Sequence, residues 1–115
     1  MSLTLQDLGS HIVMDVRKFT EYALNPEAPH GRHKAIVFGR VLGYTLDNWQ
    51  ELYQQVATLA PGALVQFHSE DSHGRRFTTD LLVRGPSGRE ATVRMGWIVP
   101  PGLDAVRLVT LWIDE

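Results

Sequence analysis

A chain of 115 residues, 43% hydrophobic and 21% charged, is long enough for one domain with its own core and has the balance of an ordinary globular protein. It has no cysteine, which excludes disulfides and thiolate metal sites and fits a reducing compartment. A net charge of −2 with neutral histidines removes any bulk attraction to nucleic acid, so an RNA contact has to come from a local basic cluster.

Residues 1–14 are ambiguous, with room for a short turn or a partial strand. They are too polar for a signal peptide and lack its basic start, and no apolar run in the chain reaches membrane length. A cytoplasmic domain with no membrane partner is the expectation. Asp15 suits the N-cap of a helix over 15–25, with Val16, Phe19, Ala23 and Leu24 at helical spacing and Asn25-Pro26 as the stop. A second helix is expected over 32–43, carrying Ala35, Ile36, Val37, Phe38, Val41 and Leu42, with Gly43 at its C-cap. Asp47 opens a third over 47–60, with Gln50 three residues on as in a capping box. Its apolar stripe is Trp49, Leu52, Tyr53, Val56 and Leu59, and Pro61-Gly62 ends it.

After Gly62 the hydrophobic period changes to two. Strands are expected at 63–69, 76–84, 89–98 and 106–113, separated by Ser72-His73-Gly74, Gly85-Pro86-Ser87-Gly88 and Pro100-Pro101-Gly102. Helices followed by strands indicate α+β, here three N-terminal helices packed on a four-stranded antiparallel β-meander. The expected core is Val37, Phe38, Leu52, Val56, Val93, Met95, Trp97, Val109 and Leu111. A two-residue turn at Pro86-Ser87 pairs Gly85 with Gly88 and sets Thr79 opposite Arg94. A symmetric next loop sets Arg94 opposite Thr110. Thr79, Arg94 and Thr110 then line one face, beside Phe77, Leu81, Leu108 and Trp112. A one-residue slip in either hairpin destroys this alignment.

The densest chemistry lies in His30-Gly31-Arg32-His33-Lys34, at the expected start of the second helix. Free N–H groups and a partial positive charge at a helix start favour an anion, and imidazoles there can hold or move protons near neutral pH. The plain alternative is a solvent-facing loop and first turn, with Lys34 a surface lysine and Arg94 paired to Asp80 or Glu90. His68-Ser69-Glu70-Asp71-Ser72-His73 holds two histidines and two carboxylates, but one short loop lacks the second rigid element of a metal site. It reads as a polar hairpin. No metal and no cofactor is expected.

Several phrases, taken together, resemble a small uncharacterised bacterial domain family found alone and at the C-termini of polymorphic toxins. They are Tyr22-Ala23-Leu24-Asn25-Pro26-Glu27, His30-Gly31-Arg32-His33-Lys34-Ala35, Leu42-Gly43-Tyr44, His73-Gly74-Arg75-Arg76-Phe77, Gly85-Pro86-Ser87-Gly88-Arg89, Val93-Arg94-Met95-Gly96-Trp97-Ile98 and Arg107-Leu108-Val109-Thr110. The resemblance spans residues 15 to 113. The family phrase carries an aromatic where this chain has His73, and a tyrosine where it has Phe77. The layout is also similar to the barnase, EndoU, colicin and RelE-like ribonuclease superfamily. That likeness implies metal-independent cleavage of RNA by side chains on a sheet and a nearby helix. Carried over, the catalytic candidates are His33, Lys34, Arg94 and Thr110. His30, Arg32, Thr79 and Trp112 are the candidates for holding substrate. Against this stands a non-catalytic protein-binding module, such as an immunity or adaptor protein. The net charge of −2, the Phe77/Trp112 patch and the lack of a delivery domain favour it. The partners expected are RNA through the local basic cluster, or a cognate immunity or partner protein.

Overall fold

The strand-forming half of the chain owes its shape to alternation. In Gly74–Arg84 the buried side chains are Phe77, Thr79, Leu81 and Val83, and in Glu90–Val99 they are Val93, Met95, Trp97 and Val99. The computed structural model describes residues 2–115, and Met1 lies outside the described residues. Its strands are β1 (His11–Val13), β2 (Val65–Asp71), β3 (Gly74–Arg84), β4 (Glu90–Val99) and β5 (Ala105–Ile113). The α-helices are α1 (Arg32–Val37) and α2 (Trp49–Leu59). The class is α+β, but the architecture departs from a three-helix, four-stranded meander in two respects.

First, the sheet has five strands in the order β1-β5-β4-β3-β2, and β1 runs parallel to β5. The other neighbours are antiparallel. β1 comes from the ambiguous N-terminal segment. Three residues are too few to show a period of two. Its pairing of Ile12 with Val106 covers part of the β5 edge, which would otherwise present unpaired backbone groups. Parallel neighbours need a crossover, and here nearly the whole domain serves as one.

Second, the segment read as a helix over 15–25 holds only a π-helical turn, Lys18–Ala23. Its sequence is rich in aromatic and β-branched residues of weak helix propensity, and so short a helix depends on packing for its stability. Burial of Phe19, Ala23 and Leu24 supplies that packing, and the Leu24 N–H closes on the Phe19 carbonyl five residues back. The helix over 32–43 is α-helical for six residues and continues as a π-helical turn, Phe38–Leu42, which buries both Phe38 and Leu42. Gly43, at φ +83°, ends it as a left-handed C-cap.

The register also differs. The Gly85 N–H donates to the Arg89 carbonyl at 2.7 Å, and Gly88 adopts φ +91°. This is a type I turn followed by a left-handed glycine, one residue longer than a two-residue turn. The slip sets Asp80, not Thr79, opposite Arg94. Thr79 therefore turns inward. It is 2% exposed, and its Oγ1 accepts the Trp97 indole N–H at 2.9 Å. Between β4 and β5, Arg94 pairs with Trp112 and Gly96 with Thr110. That shift of two preserves the faces of Arg94 and Thr110. Val109, expected in the core, is the extra residue of a bulge between Thr110 and Leu108, and it lines the opposite side of the sheet. The remaining expected core residues are buried, together with Phe19, Leu42 and the N-terminal Leu5.

Candidate functional site

The helical elements pack against the Met95 and Trp97 side of the sheet and leave the other side open. The open side forms a groove of about 460 Å³ over β2 to β5, with Gln66, Arg76, Thr78, Arg94, Thr110 and Trp112 among its lining residues. β1 covers β5 only over residues 105–107. Beyond that point the π-helical turn Lys18–Ala23 and α1 pack beside β5. This position lets a side chain from α1 reach round the sheet edge to its open face.

Lys34 makes that reach. Its Nζ donates to Thr110 Oγ1 at 2.9 Å and lies 4.9 Å from the Tyr22 ring centroid and 5.3 Å from that of Trp112. Two aromatic faces attract an ammonium group through their ring quadrupoles, and the aliphatic stem of Lys34 packs along the way. Trp112 in turn stands opposite Arg94 on β4. The structure thus brings Lys34, Thr110, Trp112 and Arg94 onto one face.

Arg94 is not idle there. Its Nε and Nη2 donate to the two Asp80 carboxylate oxygens at 2.8 and 3.1 Å, and Nη2 lies 3.3 Å from Asp114 Oδ2. The bonds from Arg94 hold the Asp80 carboxyl below the usual carboxylate range and raise the Arg94 guanidinium correspondingly. Both side chains are more than a third exposed, so solvent screens the pair and it adds little to stability. Its importance is positional, because a bidentate carboxylate fixes the plane of the guanidinium.

His30, Arg32 and His33 are exposed. Among the described residues their side chains make no hydrogen bond or ion pair. α1 is only six residues long, so its start offers a weaker dipole than a long helix would. Thr79 faces the core and leaves the candidate set on the open face. Sequence reasoning missed Tyr22, which the local pattern assigned to an unremarkable helix. It also missed Gln66 and Arg76, although alternation along β2 and β3 carried the signal. His68 to His73 forms the β2–β3 hairpin, with the Asp71 carboxylate accepting the His73 N–H at 2.8 Å.

A domain family of unknown function, DUF6883, matches residues 4–115, nearly the whole chain. The chain belongs to the DUF6883 family. No curated protein matches it. The fold is similar to that of a chain in the contact-dependent growth inhibition toxin–immunity protein complex from Klebsiella pneumoniae 342. The TM-score is 0.64 at 19% identity, covering 89% of this chain and 99% of that one. At that identity the likeness establishes shared fold. Among the described residues no helix is long and apolar enough to cross a membrane.

Proposed function

We propose that this DUF6883 domain is a metal-independent endoribonuclease of a toxin system, acting on the open face of its sheet. The observation that carries the reading is the bond from Lys34 to Thr110 beside Trp112 and Arg94. Cleavage beside a ribose 2′-hydroxyl needs a base for that proton, an acid for the leaving 5′-oxygen and cations for the phosphorane. The 2′-oxygen bonds to phosphorus as the P–O5′ bond breaks, leaving a 2′,3′-cyclic phosphate and a 5′-hydroxyl. Lys34 holds a non-bridging oxygen, and Thr110, already its partner, orients the same group. His33, on the exposed first turn of α1, takes the 2′-hydroxyl proton as the base, and solvent water protonates the departing 5′-oxygen. Arg94 binds phosphate through Nη1, which neither Asp80 nor Asp114 engages, while Asp80 keeps the guanidinium in plane. His30 and Arg32 contact the flanking backbone. The fold shared with a chain of a toxin–immunity complex supports the biological setting.

A second reading has its own support. Arg94 is already neutralised by Asp80 and Asp114, as in a domain that binds a protein without catalysis. Incubation of the pure protein with total tRNA in EDTA separates the two. The ribonuclease reading expects fragments ending in cyclic phosphate, lost in Lys34→Ala, Arg94→Ala and His33→Ala variants that remain folded. Intact tRNA at high enzyme concentration leaves the protein-binding reading.

A further inference from the structure

We infer that the groove beside Trp112 is a subsite for one unpaired nucleobase of single-stranded RNA, an inference that rests on the RNA-directed reading above. Its volume of about 460 Å³ falls in the range of small-ligand pockets, about 300–1,000 Å³. The lining carries Arg76, Arg94 and His68 and no carboxylate, in a chain whose net charge is −2. Asp71 and Asp80 engage these arginines from outside the lining. With both arginines ion-paired, the cation left to attract an anionic occupant is Lys34 at the groove edge, which makes no ion pair among the described residues.

The walls favour a nucleotide over a bare anion. Trp112 is half-buried and stands across from Arg94, with Lys34 5.3 Å from its ring centroid. A base stacked on that indole therefore lies beside the ammonium and guanidinium groups that would take its phosphates. Gly96 is the β4 residue paired with Thr110. A Cβ at Gly96 would press on the Thr110 methyl at 3.2 Å, so the missing side chain keeps Thr110 in place beneath Lys34 and leaves the groove floor flat. Gln66 and Thr78 pair across β2 and β3 and line the same groove. Their amide and hydroxyl can donate to or accept from a base edge. Such edges are available only on unpaired nucleotides, because a duplex hides them.

The test uses wild-type protein labelled with ¹⁵N and an uncleavable 2′-fluoro hexauridylate, so that binding is read apart from cleavage. The subsite predicts that saturating hexamer moves the Trp112 indole N–H signal and leaves that of Trp49, packed against Tyr53 on α2 and outside the groove lining, in place. A hexamer of the same charge lacking its bases should bind about 5- to 150-fold more weakly, the span of one stacked base. Trp112→Phe should retain binding better than Trp112→Ala. An unmoved Trp112 signal at saturation, or equal affinity for the base-free hexamer, overturns the subsite and leaves the groove to a protein partner. The hexamer can seat on Trp112 even if tRNA proves uncut. In that case the catalytic reading fails and the subsite survives.

Discussion

Replacing Thr79 by valine keeps the shape of the side chain and deletes one oxygen. That oxygen accepts the indole N–H of Trp97 at 2.9 Å, and the two residues are 2% and 1% exposed. Water has no access to the orphaned N–H. Leaving a buried donor unsatisfied destabilises a protein by about 1–3 kcal/mol. A chain of this length unfolds with an entropy of about 240 cal/mol/K, so each kcal/mol moves the midpoint by about 4 °C. Thr79→Val should therefore lower Tm by about 4–12 °C, measured by differential scanning calorimetry at fixed protein concentration. The Trp97→Phe variant removes the donor but opens a cavity, and the double variant should be less destabilised than the two single losses added together. A Thr79→Val protein that melts within about 1 °C of wild type would refute the reasoning, since that is the behaviour of a threonine on the open face. Any RNA cleavage per folded molecule should be unchanged.

Other outcomes follow from the same geometry. Lys34→Met keeps the packed stem and removes the charge. It should cut RNA cleavage in EDTA about 10²–10³-fold in single-turnover assays while shifting stability by only about 1 kcal/mol. Leu52→Ala, at a fully buried position of α2, should cost about 2–5 kcal/mol by urea denaturation. Gly85→Ala would drive a methyl onto the Leu42 carbonyl oxygen and should destabilise by about 1–3 kcal/mol or prevent folding, visible in the near-ultraviolet circular dichroism. Acid should weaken the protein through Asp15, whose carboxyl is lowered from 3.8 to about 2 by hydrogen bonds from Arg17. A depressed folded pKa stabilises above the unfolded value and is lost as pH falls from 3.8 towards 2. The stability measured by urea denaturation should fall less steeply across that window in Asp15→Asn.

β3 and β4 were legible because each buries one face continuously, whereas β2, with no fully buried residue, was legible from the turns that flank it. Leu81 and Val83 against Val93 and Met95 announce an alternation that no helix reproduces. The failures are local and have local causes. β1 is too short to show any period, so its partnership with β5 is decided by tertiary contact alone. The slip between β3 and β4 turns on Gly88, whose left-handed conformation adds a residue to the loop. Gly-Pro-Ser-Gly is compatible with either length. Val109 reads as a core valine in a regular strand, and only the bulge sends it to the open side. The basic cluster was visible as a cluster, but sequence could not say which of its members turns inward. That depends on where α1 meets the β5 edge, and it singles out Lys34 from His30, Arg32 and His33.

The parallel pairing of β1 with β5 also orders events in time. Residues 11–13 leave the ribosome long before residues 105–107, their partners in the finished sheet. The three hairpins built by β2, β3, β4 and β5 are local in sequence and can zip as they emerge, whereas β1 must wait for a partner nearly a chain-length away. β1 therefore cannot take its place in the sheet until residues 105–107 have been made.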